Sequence, residues 1–282
     1  MTDGTTVPSC LPSGSRTRFA GLIGPGLSSD RLDPLAGALG LHPAAVPAGS
    51  GPADGPLAAV LTGAWGAGTQ GTGAEDSDPD APALWLPPVA AWIEPAAGPG
   101  PDEGAAALAP QLAPLLAEAS SADLYVNLTT ATAHGLQLGA RLLAALAARH
   151  PLAGDRRNDI ELALHEAVSN ALVHGNLGVA GMKELSAVEL ERFSRDLRDR
   201  LGDPVLAARR VVILVRTESA EDGRTVAAVE ISDEGAGFVP APRGGCPGSG
   251  GASGRGLDLI GTIAEKLEIV DGGRRIRLRF RL

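Results

Sequence analysis

From Arg274 to Leu282 the chain reads Arg-Arg-Ile-Arg-Leu-Arg-Phe-Arg-Leu. Successive side chains of a strand point to opposite faces, so Ile276, Leu278, Phe280 and Leu282 make an apolar face and Arg275, Arg277, Arg279 and Arg281 a charged one. A sheet with one face under helices and one face in water satisfies this pattern. The simplest use of the arginines is a solvated outer face with its edges guarded by charge. Contact with an acidic partner, or with the acidic N-terminal half of the chain, is the alternative. Nucleic acid is not expected, because Phe280 falls on the apolar face and no aromatic residue stands among the arginines on theirs.

More strands and helices follow from the same periodicities. Lys266–Val270 is expected to pair with Arg274–Leu282 across Asp271-Gly272-Gly273, and Arg210–Thr217 with Arg224–Ser232 across the turn signal Asp222-Gly223. Helices are expected over Leu136–Arg149, Asp159–His174, Lys183–Leu201 and Leu257–Lys266. Leu138, Leu142, Leu143 and Leu146 share one face of the first. Ser186-Ala-Val-Glu189 is a capping box for the third, and Asp203-Pro204 opens a short helix through Ala208. Glu191/Arg195 and Asp196/Arg200 stand at i,i+4, the pattern of a solvated face laced by ion pairs.

The first 120 residues have a different texture. They hold twelve acids against three arginines, whereas the remainder holds equal numbers of each sign, so the formal charge of −9 belongs to the N-terminal part. Glycine and proline, 38 and 22 of 282 residues, are well above average usage. Three stretches read as linker: Met1–Ser15, Gly63–Pro82 and Pro95–Gly104. Between them, strands are expected at Phe19–Ile23, Ala58–Leu61, Ala83–Leu86 and Val89–Ile93, with helices at Leu32–Leu41 and, irregular because of Pro110 and Pro114, Ala105–Ala119. Aromatics are 3% of the chain, so the core is largely aliphatic, and two of the three tryptophans are expected to fill it. The division is a flexible tail (1–16), an acidic Ala/Gly/Pro-rich α/β region (17–120) and a C-terminal domain (121–282) carrying a helical insert at 177–208. Cys10 and Cys246 suggest neither a disulfide framework nor a zinc site. With no apolar run of membrane-spanning length and no signal-peptide pattern, a soluble cytoplasmic protein is expected.

Three segments carry chemistry. In Glu161-Leu-Ala-Leu-His-Glu166-Ala-Val-Ser-Asn170-Ala-Leu-Val-His174-Gly175, helical spacing puts Glu166 and Asn170 on one stripe, while Leu164, Val168 and Ala171 face a core. In Val229-Glu-Ile-Ser-Asp233-Glu-Gly235-Ala-Gly237, an apolar strand delivers a carboxylate to its end, followed by two glycines that let a ligand approach the backbone. In residues 244–260 a Gly/Ser-rich stretch ends in Gly254-Arg255-Gly256-Leu257 and opens a helix, whose N-terminal N–H groups suit phosphate.

In this order and spacing the three segments resemble the N box, G1 box and G2 box of the GHKL (Bergerat-fold) ATPase superfamily, over residues 122–282. The resemblance implies an α+β two-layer sandwich: a mixed, largely antiparallel sheet covered on one face by helices, here preceded by the small α/β region. Glu166 four residues before Asn170, followed by His174-Gly175, looks like the anti-sigma-factor serine kinases. Histidine kinases usually lack that glutamate, and only one long helix precedes the N box, which leaves no adjacent phosphoacceptor hairpin. The N-terminal region is similar in order and spacing to a receiver domain without its acidic pair or phosphoacceptor.

The resemblance implies ATP and Mg²⁺, with Asn170 on the magnesium, Glu166 as general base, and Asp233 on the adenine amino group. It further implies that Gly235 and Gly237 lie against the base, that 240–253 form a lid, and that Gly254, Arg255, Gly256 and Leu257 hold the phosphates. The implied activity is that of an ATP-dependent protein serine/threonine kinase in a partner-switching pathway. Its partners would be a sigma factor or equivalent target and a Ser/Thr-phosphorylated antagonist protein; a homodimer stays open. The alternatives are a non-catalytic nucleotide-gated module and an ATPase component of a two-component system. Two departures from the family pattern stand out: Arg274 follows Gly273 where the family often has threonine, and the stretch Leu177–Ala208 is longer than a minimal domain needs.

Overall fold

The computed structural model describes residues 17–46, 55–61, 81–96, 104–152, 154–182, 184–238 and 255–282. Nine strands form one sheet in the order β2-β1-β3-β4-β5-β6-β7-β9-β8. They are β1 (Gly21–Ile23), β2 (His42–Pro43), β3 (Leu57–Val60), β4 (Val89–Ile93), β5 (Leu124–Thr129), β6 (Arg210–Ser219), β7 (Thr225–Asp233), β8 (Lys266–Val270) and β9 (Arg275–Arg281). Strands β1 to β5 are mutually parallel, and every pairing from β5/β6 onward is antiparallel. The chain is thus the α+β fold expected, with a largely antiparallel C-terminal sheet.

The two halves of this sheet are covered differently, and their sequences say why. The parallel strands β3 (Leu-Ala-Ala-Val) and β4 (Val-Ala-Ala-Trp-Ile) are buried at every residue, so they read as continuous apolar runs. On one of their faces pack α1 (Ser29–Leu39) and α2 (Ala109–Ala119), through Leu35, Ala36, Leu112 and Leu116. On the other, Trp85 and Trp92 stack with ring centroids 4.5 Å apart and join the core beneath α4 (Leu138–Ala147) and α5 (Gly154–Ser169). That core runs on without a break to Ile213, Val229, Leu278 and Phe280 of the antiparallel strands. The expected boundary at residue 120 falls in the turn between α2 and β5, and β4 pairs directly with β5 across it.

Strand β9 alternates as its sequence requires, with Ile276, Leu278 and Phe280 buried. Its arginines meet acids in or beside the same sheet: Arg277 lies 2.7 Å and Arg275 3.4 Å from Glu230, Arg279 3.5 Å from Glu218, and Arg281 2.7 Å from Glu265, just before β8. These carboxylates come from the C-terminal half, not from the acidic N-terminal half.

Several expectations are corrected. Ala83–Leu86 is no strand: Pro82–Trp85 is a 3₁₀ turn, and Pro87 and Pro88 after it have no N–H to give a ladder. The helix expected over Leu136–Arg149 is α4 (Leu138–Ala147), and a short helix not expected from the sequence precedes it. Thr129 caps α3 (Thr130–Gly135) by accepting the Thr132 N–H, and Gln137 in the left-handed region (φ 49°) separates α3 from α4. The next helix starts at Gly154, not Asp159, and changes character at Asn170. The third, α6 (Ala187–Leu201), is capped by Ser186 as expected, and Asp203 caps α7 (Pro204–Ala207). On α6, Arg195 meets Glu191 at 3.8 Å, but Asp196 pairs with Arg192 at 2.9 Å and not with Arg200. Both hairpins form at the expected turns. The linker segments 1–15 and 63–80, Trp65 and both cysteines lie outside the described residues. No helix among the described residues is long and apolar enough to cross a membrane.

Candidate functional site

Helix α5 buries Ile160, Ala163, Leu164, Ala167 and Val168 against the sheet. Glu166 and Asn170 fall on a neighbouring stripe, one turn apart and half-buried. From Asn170 to Asn176 the helix widens into π geometry, an arrangement that occurs mostly as short insertions at functional positions. His174 is held by its Nδ1, 2.6 Å from the Val179 carbonyl.

The π segment ends on Asn176, which is fully buried and fully occupied. Its Nδ2 donates to Thr130 Oγ1 (2.8 Å) and to the Arg210 carbonyl (2.9 Å), and its Oδ1 accepts the Glu234 N–H at 2.7 Å. Arg209 donates to its carbonyl at 2.6 Å. One carboxamide therefore ties the end of the N-box helix to β6 and to the residue after Asp233.

Asp233 is the last residue of β7; its N–H donates to the Arg274 carbonyl and its Oδ1 accepts the Gly235 N–H at 2.8 Å. Burial pushes its carboxyl up to about 6, against the opposing pull of that N–H and of the Arg274 and Arg209 charges. Gly175 explains how the carboxylate fits: a Cβ there would stand 2.6 to 2.8 Å from the Asp233 carboxyl atoms. Gly235 packs equally tightly on the Gly175 carbonyl, and Gly237, at φ 76°, on the Gly272 carbonyl. The Asp233–Gly237 segment is thereby clamped between the end of the π helix and the turn before β9.

A second cluster forms one helix-length away. The start of α8 (Arg255–Ile263) lies so close to Glu166 that any Cβ on Gly256 would strike the Glu166 carboxylate. Gly256 is buried, and Leu257 packs against the core. From Glu166 to Gly175 the helical rise is about 13 Å. Glu166 and the α8 N-terminus thus meet at one end of this helical stretch, Asp233 and Gly235 meet Gly175 at the other, and Asn170 lies between them in sequence. Gly254 and the expected lid at 240–253 lie outside the described residues.

A family model for the histidine kinase-like ATPase domain matches residues 129–280, more than half of the chain. The chain belongs to that family. Among curated proteins, none matches it. The ATPase domain begins, by this match, at the last residue of β5, so β1 to β4 and their helices are an addition to it that shares its sheet.

The residues suit the ligands that such a domain takes. A desolvated carboxylate flanked by glycine backbone can accept hydrogen bonds from an exocyclic amine. No group of three or more His, Cys, Asp or Glu among the described residues could hold a metal by itself. Magnesium needs no such cage, since it keeps several waters and takes one or two protein oxygens beside substrate phosphates. The Asn170 carboxamide can supply one.

Arg274 borders the Asp233–Gly237 segment: its Cγ lies 3.2 Å from the place of a Gly237 Cβ, and its Nε donates to the Asp271 carbonyl. Asn176, Arg210 and Glu234 were not singled out from the sequence. The available signal was an asparagine ending an apolar helix, a residue type that buries only when every polar atom is paired.

Proposed function

We propose that this protein is an ATP- and Mg²⁺-dependent protein serine/threonine kinase of the anti-sigma-factor type, acting in a partner-switching pathway. The observation that supports it most is the carboxylate of Glu166, lying against Gly256 at the N-terminus of α8, with Asn170 one turn further along the same stripe. A carboxylate in that place is within reach of a hydroxyl presented to the terminal phosphate. It takes the hydroxyl proton as the Ser/Thr Oγ–P bond forms and the bond between the γ-phosphorus and the bridging oxygen breaks. The N–H groups opening α8 face the phosphates and offset their charge. Asp233 accepts from the adenine amino group, and Asn170 supplies an oxygen to magnesium, whose contribution when bound is to neutralise phosphate charge. A sigma factor or equivalent regulator and a Ser/Thr-bearing antagonist protein are the partners this reading requires.

The parallel order β2-β1-β3-β4-β5 is that of flavodoxin-like doubly wound sheets and supports a receiver-like origin for the N-terminal half. Gly24-Pro25-Gly26 follows β1 in place of an acidic pair, so that half is read as non-phosphorylated.

The kinase reading is tested with labelled ATP and antagonist proteins encoded nearby. Glu166→Ala is expected to abolish label transfer and leave ATP affinity within about two-fold. Tight nucleotide binding with no transfer by the wild type rejects the kinase in favour of a nucleotide-gated binding module.

A further inference from the structure

Glu94 follows β4, outside the matched family domain, and is 5% exposed. A buried carboxylate is costly unless its oxygens are paired, and here they are. One accepts the Thr129 N–H at 2.8 Å; the other accepts the hydroxyls of Thr129 (3.2 Å) and Thr132 (3.1 Å). The Glu94 carbonyl accepts Nη2 of Arg210, while Nη1 is buried without a hydrogen bond among the described residues.

The connection onward has two arms: from the carboxylate through Thr129 to the adjoining Thr130, whose hydroxyl accepts from Asn176 Nδ2, and from the Glu94 backbone carbonyl to the side chain of Arg210. The Arg210 backbone N–H donates to Glu234 Oε2 at 2.8 Å, and its carbonyl accepts from Asn176. Glu234 in turn donates its N–H to Asn176. Asp233, on which the adenine reading rests, immediately precedes Glu234 and faces Val211 across the β6/β7 ladder. An unbroken chain of hydrogen bonds and peptide links therefore runs from the N-terminal half to the carboxylate that meets the base.

We propose that Glu94 is a positioning residue of the nucleotide site, its carboxylate acting through Thr129, Thr130 and Asn176 to hold Glu234, and with it Asp233, in the orientation that accepts the adenine amino group. This rests on the reading of Asp233 as the adenine acceptor. The N-terminal half then completes the ATP site from outside the ATPase domain, and whatever shifts the end of β4 alters base recognition.

The test compares ATP with purine riboside triphosphate, which lacks the 6-amino group, by equilibrium binding to the full-length chain in magnesium. Wild type is expected to prefer ATP at least ten-fold, and Asp233→Asn to lose the preference. Glu94→Ala, and Thr130→Val, which removes the hydroxyl that accepts from Asn176, are each expected to narrow it at least three-fold without changing the affinity for the amine-free analogue. Glu94→Gln, which can still accept the Thr129 N–H, is expected to restore most of it. Glu94→Ala added to Asp233→Asn is expected to change nothing further, the signature of residues acting as one unit. A folded Glu94→Ala or Thr130→Val chain that keeps the full preference, or weakens both nucleotides equally, overturns the proposal while leaving the adenine reading intact. A wild type without preference overturns the reading of Asp233 itself, and the proposal with it.

Discussion

At the scale of single residues, half-buried Asp233 and fully buried Asn176 illustrate two opposite uses of a polar group withdrawn from water. Asp233 is desolvated and biased toward its neutral form, with its carboxyl raised to about 6. Only the ionised carboxylate accepts from an amine on both oxygens, so nucleotide affinity is expected to fall as pH drops through about 6 and to level off above 7. Binding below pH 6 should release a proton, which calorimetry in buffers of different ionisation heat detects. Asp233→Asn should bind weakly with no such pH dependence. The same shift acts on the empty protein: the folded state holds the proton more tightly than the unfolded chain between about 4 and 6, so this group's contribution to stability declines as pH rises through that window. Asn176 is the reverse case, a buried group whose bonds are all made. Asn176→Ala removes three side-chain hydrogen bonds and leaves the Glu234 N–H without its partner. Each buried group so orphaned costs about 1–3 kcal/mol, and a loss of about 3 kcal/mol in denaturant unfolding is the expected outcome.

Elements differ in how firmly they are held. Helix α5 is fixed by five buried residues, whereas α6 has none; it rests on the partly buried Phe193, Leu197 and Leu201 and on its capping. Leu185 and Val188 at its start are 88% and 77% exposed. An element with so little burial opens independently of the rest. Ser186→Ala should therefore cost about 1 kcal/mol locally, seen as faster hydrogen exchange of α6 amides, with nucleotide affinity unchanged. The elements also show how far pattern reading reaches. The β9 alternation, the Ser186 and Asp203 caps and both glycine turns follow from neighbours in sequence, and they stand where expected. The break at Gln137, the 3₁₀ turn at Pro82–Trp85 and the π segment at 170–176 were not legible. Each is set by what the chain must pack against: α4 must lie over the stacked tryptophans, and Asn176 must reach β6.

For the whole molecule, the decisive fact is that one sheet runs through both halves, with the core on its α4/α5 face continuous across them. Arg149, after α4, donates to the Val89 carbonyl of β4, and Arg18 to the Asp123 carbonyl before β5, which adds polar ties to the apolar ones. Deleting residues 1–103 would uncover β5 as an edge whose first five residues are all buried in the intact protein. Exposed apolar edges pair with other chains. That truncated chain is expected to aggregate, by size-exclusion chromatography, while the full-length chain stays monodisperse. A monodisperse, nucleotide-binding fragment would show instead that the first four strands are dispensable.

Local spacing was enough to determine the C-terminal strands, the amphipathic helices and the candidates Glu166, Asn170 and Asp233, because period, capping and turn chemistry act over a few residues. Tertiary structure alone decided that Gly256 closes on Glu166, that Gly175 makes room for Asp233, and that Glu94 is bonded into the network beside them. Those contacts join residues 58 to 116 positions apart, and no short-range rule carries information over such a separation; only the pairing of β4, β5, β6 and β7 in one sheet brings them together.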